Sequence, residues 1–100
     1  MHPRHQLYHN EIESGINKIL NNLIVVQKET INTEIEMVLS NYLKTYHDHF
    51  KVYDWKVKSN YPKIEIYIMY MKGGEIDEIK PLRFERLRKL SNLEIISKTL

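Results

Sequence analysis

The residues best suited to chemistry near neutral pH are five histidines. His2, His5 and His9 are spaced by three and four, which places them on one face if their segment is helical. His47 and His49 flank Asp48. Imidazole and carboxylate groups are ligands for zinc, nickel or copper. Yet Pro3 interrupts the first group, and neither group has the HExxH spacing of a catalytic zinc helix. The plainer reading makes residues 1–10 a flexible polar arm. It puts the second group at a helix C-terminus, where protonated histidine is favourable. Short matches of this kind mislead often, so neither a metal nor a cofactor is expected.

Lys80, Arg83, Arg86, Arg88 and Lys89 form a local positive run with Phe84 inside it. Such a run can hold a phosphate backbone, and Lys56, Lys58 and Lys63 would extend it. Glu75, Asp77, Glu78 and Glu85 lie close in sequence and offset part of the charge, so a solvated helix face competes with nucleic-acid binding. Aromatic residues supply a further candidate surface. Tyr67, Met69 and Met71 share one face of an expected strand, with Tyr61 at its turn. If uncovered, they make an apolar patch of the kind that meets a protein partner. If covered, they are a second layer of core. A catalytic constellation is harder to assemble. Gly73 and Gly74 stand alone rather than in a phosphate-binding loop, and no nucleophile elbow occurs. Asp54 and Glu65 would sit on paired strands, but position 67, where a nuclease pattern needs lysine, is tyrosine. No enzyme is expected.

These side chains must be held by a small scaffold. One hundred residues are enough for one domain with one modest core. The absence of cysteine excludes a disulfide framework, a thiolate nucleophile and any thiolate-ligated metal site. No run approaches the ~18 apolar residues of a membrane helix, and the N-terminal stretch lacks the apolar core of a signal peptide. A cytoplasmic location fits. The formal charge of +2 is too small to argue for nucleic acid by itself.

The clearest element is the stretch FKVYDWKVKSNYPKIEIYIMYM, residues 50–71. Tyr53, Trp55 and Val57 alternate with Asp54, Lys56 and Lys58, a period of two that gives a strand one core face and one solvent face. Ile64, Ile66, Ile68 and Tyr70 repeat the pattern beyond a turn at residues 58–62, where Ser59, Asn60 and Pro62 favour a reversal. The second strand is apolar on both faces beyond Glu65, so it belongs inside a sheet. Gly73 and Gly74 then allow a tight return into a polar edge strand at 75–80.

Upstream, Ile12, Ile16, Ile19, Leu20 and Leu23 recur at helical spacing from about residue 11. Asn21, Asn22 and the β-branched run after them predict a break or a short strand at 23–27, although one helix over 11–48 also satisfies the stripe. Thr30 is placed to cap a second helix whose stripe is Ile31, Ile35, Val38, Leu39, Tyr42, Leu43 and Tyr46. Downstream, Pro81 suits a first helical position, and Phe84, Leu87 and Leu90 predict a short helix at about 81–91. The expected fold is therefore α+β. Two N-terminal helices pack on an antiparallel sheet of about three strands, and a short helix follows.

Helix, long helix and hairpin in this order resemble, in layout alone, small phage tail and connector proteins and phage-encoded inhibitors of host systems. That resemblance implies a structural or inhibitory component from a phage or mobile element. The surplus of Ile, Asn, Lys and Tyr agrees with an A+T-rich coding source. The expected function is a non-catalytic protein–protein interaction module, a homo-oligomer or the binder of a foreign chain, working through Tyr61, Tyr67, Met69 and Met71. The alternative is a nucleic-acid-binding protein using residues 80–89.

Overall fold

Two amphipathic stripes and one alternating hairpin collapse into two layers in the computed structural model, which describes residues 3–23, 28–72, 74–78 and 80–84. Helix α1 spans Pro3–Asn21, and helix α2 spans Ile31–Asp48 after a single 3-10 turn at Lys28–Thr30. The strands are β1 (Asp54–Asn60), β2 (Lys63–Lys72), β3 (Glu75–Glu78) and β4 (Leu82–Phe84). All pairings are antiparallel, and β2 is the centre. One edge of β2 carries β1 along its length. The other edge carries β3 at Met69–Lys72 and β4 at Ile64–Ile66, end to end. Pairing on both edges over most of its length takes up the backbone groups of β2, which suits its nearly continuous apolar sequence.

The period-two pattern fixes which side each residue takes. Ile64, Ile66, Ile68 and Tyr70 of β2 are buried together with Leu82 and Phe84 of β4. Against them lie Ile12, Ile16 and Leu20 of α1 and Ile31, Ile35, Leu39 and Leu43 of α2, in one contiguous core. Each such side chain contributes roughly 1.5–3 kcal/mol by leaving water. Both helices therefore cover one face of the sheet. Polar bonds set their register on it. Asn32 of α2 accepts from the Ser59 hydroxyl at 2.9 Å and from the Tyr61 backbone N–H at 2.8 Å. Glu36 accepts from the Ser59 N–H at 3.2 Å. The two-residue β1–β2 turn holds a cis Tyr61–Pro62 bond.

Three expectations change. Residues 3–10 are not an arm: α1 begins at Pro3, and His5 and His9 are buried on its inner side. They continue the Ile12 and Ile16 phase of the helix, and Pro3 is tolerated because the first turn needs no N–H. Second, residues 82–84 form a strand rather than the start of a helix, because β2 offers a vacant edge there and Leu82 and Phe84 reach the core. The rest of that expected helix lies outside the described residues, as do 24–27 of the expected break. Third, the Thr30 side chain makes no capping bond to α2, although Thr30 occupies the cap position.

The far end of α2 closes with a Schellman motif. The Phe50 N–H donates to the His47 carbonyl at 3.0 Å, and the Lys51 N–H donates to the Tyr46 carbonyl at 2.9 Å. That motif requires a left-handed residue after the cap, a place usually taken by glycine. Here it is Phe50, at φ 59° and 97% exposed.

Candidate functional site

The buried histidines tie the first helix to the sheet across more than sixty residues of chain. His5 Nδ1 lies 2.8 Å from Asp77 Oδ2 on β3, and its ring stacks on Tyr70 at 4.9 Å. His9 lies between two oxygens: Nε2 is 3.0 Å from the Lys80 carbonyl, and Nδ1 is 3.0 Å from the Tyr70 hydroxyl. A carbonyl only accepts, so Nε2 carries the proton. In the neutral ring Nδ1 is then a lone pair, and Tyr70 donates to it. Protonation of His9 would put a donor against the Tyr70 hydroxyl and a charge in the core. Burial accordingly pushes the His9 pKa down from its ordinary value, against the opposing pull of the Lys80 carbonyl and of Glu13. Burial, with the nearby Asp77 carboxylate, pushes the Tyr70 pKa up. This pairing is a structural clamp holding β3 and the β3–β4 connection under α1. Among the described residues, no group of three or more His, Cys, Asp or Glu side chains is arranged to hold a metal ion.

The sheet's other face is not covered by either helix. Along β2 it presents Lys63, Glu65, Tyr67, Met69 and Met71; β1 adds Asp54, Lys56 and Lys58, while β3 and β4 add Ile76 and Arg83. Met71 and Ile76 are direct cross-strand partners, 44% and 53% exposed, and Tyr67 and Met69 are half-buried beside them. The face divides into an apolar end near the β2–β3 turn and a charged end near the β1–β2 turn. At the charged end Arg83 Nε lies 3.5 Å from Glu65, which also accepts from the Tyr67 hydroxyl at 2.9 Å. That bond, then Arg83 and Lys58, holds the Glu65 carboxyl below its ordinary value.

The expected interface residues are thereby split. Tyr67, Met69 and Met71 share the open face, whereas Tyr61 packs against the core and donates its N–H to Asn32. Of the expected nucleic-acid set, Lys80 is exposed beside the clamp, and Arg83 is exposed but engaged by Glu65. Arg86, Arg88 and Lys89 lie outside the described residues.

A cavity of about 530 Å³ opens where the start of α1 meets the α2–β1 connection. Arg4, His5 and Tyr8 come from α1, and His47 from α2; Phe50, Lys51, Val52 and Tyr53 come from the connection and Met71 from β2. The sequence pointed to His5 and His47 only as possible metal ligands and to Met71 only as an interface residue, and to none of these as lining a cavity. The one local signal was an aromatic where a helix end favours glycine. No family model, curated protein or solved structure matches the chain.

Proposed function

We propose that the chain is a protein-binding module without catalytic activity, and that it works through the open face of its sheet. The observation that carries this reading is the adjacency of Tyr67, Met69, Met71 and Ile76 on a face that neither helix covers. Grouped exposed apolar side chains of this kind are characteristic of partner surfaces, and methionine adapts to irregular contacts. By register the same face carries Lys56, Lys58, Lys63 and Arg83 against Asp54, Glu65 and Glu78, an excess of one positive charge. A second copy would set that positive face against itself. An acidic chain with apolar anchors complements it better. An origin in a phage or mobile element belongs to the same proposal and rests on composition and layout.

Affinity capture from nuclease-treated extract tests the reading, with the wild type and Met69→Glu/Met71→Glu as baits. A protein retained by the wild type at low salt, weakened by added salt and lost from the variant is expected, with light scattering reporting a monomer. Capture of the same proteins by both baits overturns the reading. Retention that disappears on nuclease treatment, joined by steeply salt-dependent gel shifts, would move the assignment to nucleic acid.

A further inference from the structure

We propose that the first turns of α1, residues 3–9, form an acid-released strap, and that a proton on His9 detaches them from the sheet while the rest of the core stays folded. The buried positions of this stretch are His5 and His9, and no aliphatic side chain in it is buried. Leu7 is 68% exposed, and aliphatic burial along α1 begins only at Ile12. Tyr8 packs partly against the core. The strap is therefore held chiefly by imidazole contacts to Tyr70, Asp77 and the Lys80 carbonyl. A segment with few buried apolar contacts opens at lower cost than the whole domain. Ile12, Ile16 and Leu20 keep the remainder of the helix in the core. The strand beneath the strap is equally lightly held: on β3, Glu75 and Ile76 are exposed and Asp77 is half-buried.

The two imidazoles answer a proton differently. A charge on His5 faces Asp77 Oδ2 at 2.8 Å and forms an ion pair with it. The nitrogens of His9 face the Lys80 carbonyl and the Tyr70 hydroxyl instead, each at 3.0 Å. A proton added at Nδ1 removes the acceptor to which Tyr70 donates and leaves that hydroxyl proton to find another. It also places a charge on a side chain only 4% exposed. Glu13, one turn along α1, draws that charge, whereas the Asp77 carboxylate is already engaged by His5. Lys51 from the α2–β1 connection, held against Tyr8, and the exposed Lys80 bring further positive charge to this end of the fold. Both imidazoles touch the Tyr70 ring, so a charge on His5 also opposes one on His9. Burial is the largest effect and pushes the His9 pKa down. Detachment returns the ring to water, where its charge is solvated. Two detached turns are too short to stay helical alone, so release is a local unfolding of residues 3–9.

Amide hydrogen exchange on the full chain tests the strap. Detached, His9 titrates near its ordinary value of about 6.5; attached, it titrates lower. Opening therefore becomes easier as pH falls from about 6.5 to the attached value and levels off below it. For a single proton the rise is at most about tenfold per pH unit. The amides of residues 9–13, which donate to carbonyls of residues 5–9 in the helix, are expected to lose protection on that schedule between pH 7 and pH 5. Protection is taken relative to the unstructured chain at each pH. The loss should stop once nuclear magnetic resonance of the His9 ring shows it protonated. Amides of Ile35, Leu39 and Leu43 in α2 and of Ile66 and Ile68 in β2 should keep their protection. His9→Gln keeps a donor for the Lys80 carbonyl but does not titrate, and it should flatten the pH dependence at residues 9–13. His5→Gln should lower protection there while leaving the slope. Protection at residues 9–13 that does not change between pH 7 and pH 5 overturns the proposal. So does loss in step with α2 and β2, which is global unfolding, or a slope that survives in His9→Gln. The wild-type pattern alone decides the matter if that variant does not fold. No readout uses a partner, so the strap and the binding proposed for the open face can fail separately.

Discussion

Phe50→Gly should make this protein more stable. Phe50 occupies the left-handed position of the Schellman motif that ends α2, at φ 59°. For a residue with a Cβ that region costs roughly 1–2 kcal/mol through the clash with the following carbonyl. The ring returns nothing by burial, since Phe50 is 97% exposed. Glycine removes the clash but loses more backbone freedom on folding, about 0.5–1 kcal/mol relative to alanine. The balance favours glycine by about 0.5–1 kcal/mol. For a domain near this size that raises Tm by roughly 2–8 °C. Urea titration should show a higher midpoint with an unchanged slope, the mark of altered stability without altered compactness. Two controls isolate the cause. Phe50→Ala keeps a Cβ and should stay within about 0.5 kcal/mol of the wild type. Phe50→Asn should fall between the two, because asparagine tolerates this conformation. Glycine and alanine variants of equal stability would refute the reasoning, since relief would then owe nothing to the backbone angle.

Acidification should destabilise the fold through His9. Its folded pKa is depressed by burial, so its contribution is complete above the unfolded value near 6.5 and is lost as pH falls through the folded one. The Tm of the wild type should therefore drop between pH 7 and pH 5 more steeply than that of His9→Asn, and parallel slopes would count against the neutral clamp. Gly15→Ala should destabilise by roughly 1–3 kcal/mol, despite alanine's better helix propensity. A Cβ there would overlap the Tyr42 hydroxyl and come within 2.6 Å of its Cζ, and a raised urea midpoint would show that the ring turns aside freely. Ile66→Asp should unfold the domain by placing an unpaired charge in the core, while Lys56→Asp on the open face should cost less than about 1 kcal/mol. Equal melting of these last two would contradict the assignment of the two faces.

Much of the fold was legible because burial follows local period. The alternation from Ile64 to Tyr70, and the Ile31, Ile35, Leu39 and Leu43 stripe, reach the core they predicted. The placement of Tyr67, Met69 and Met71 on the side of the sheet away from both helices followed from the same parity, since alternate residues of a strand must point opposite ways. Local period could not show what completes a buried polar group. His5 and His9 stand in phase with Ile12 and Ile16, yet they read as polar until Asp77, Tyr70 and the Lys80 carbonyl arrive from the other end of the chain. Burial of imidazole is favourable only once those partners exist. The same holds for Leu82–Phe84, whose helix signal at Pro81 yields to the vacant edge of β2. It holds most fully for the cavity. Arg4, Tyr8, Phe50 and Lys51 are unremarkable where they stand in sequence, and only the packing of α1 beside the end of α2 gathers them around one volume. Period is a property of neighbouring residues and can be read along the chain, whereas a cavity belongs to surfaces that meet only after the chain has folded.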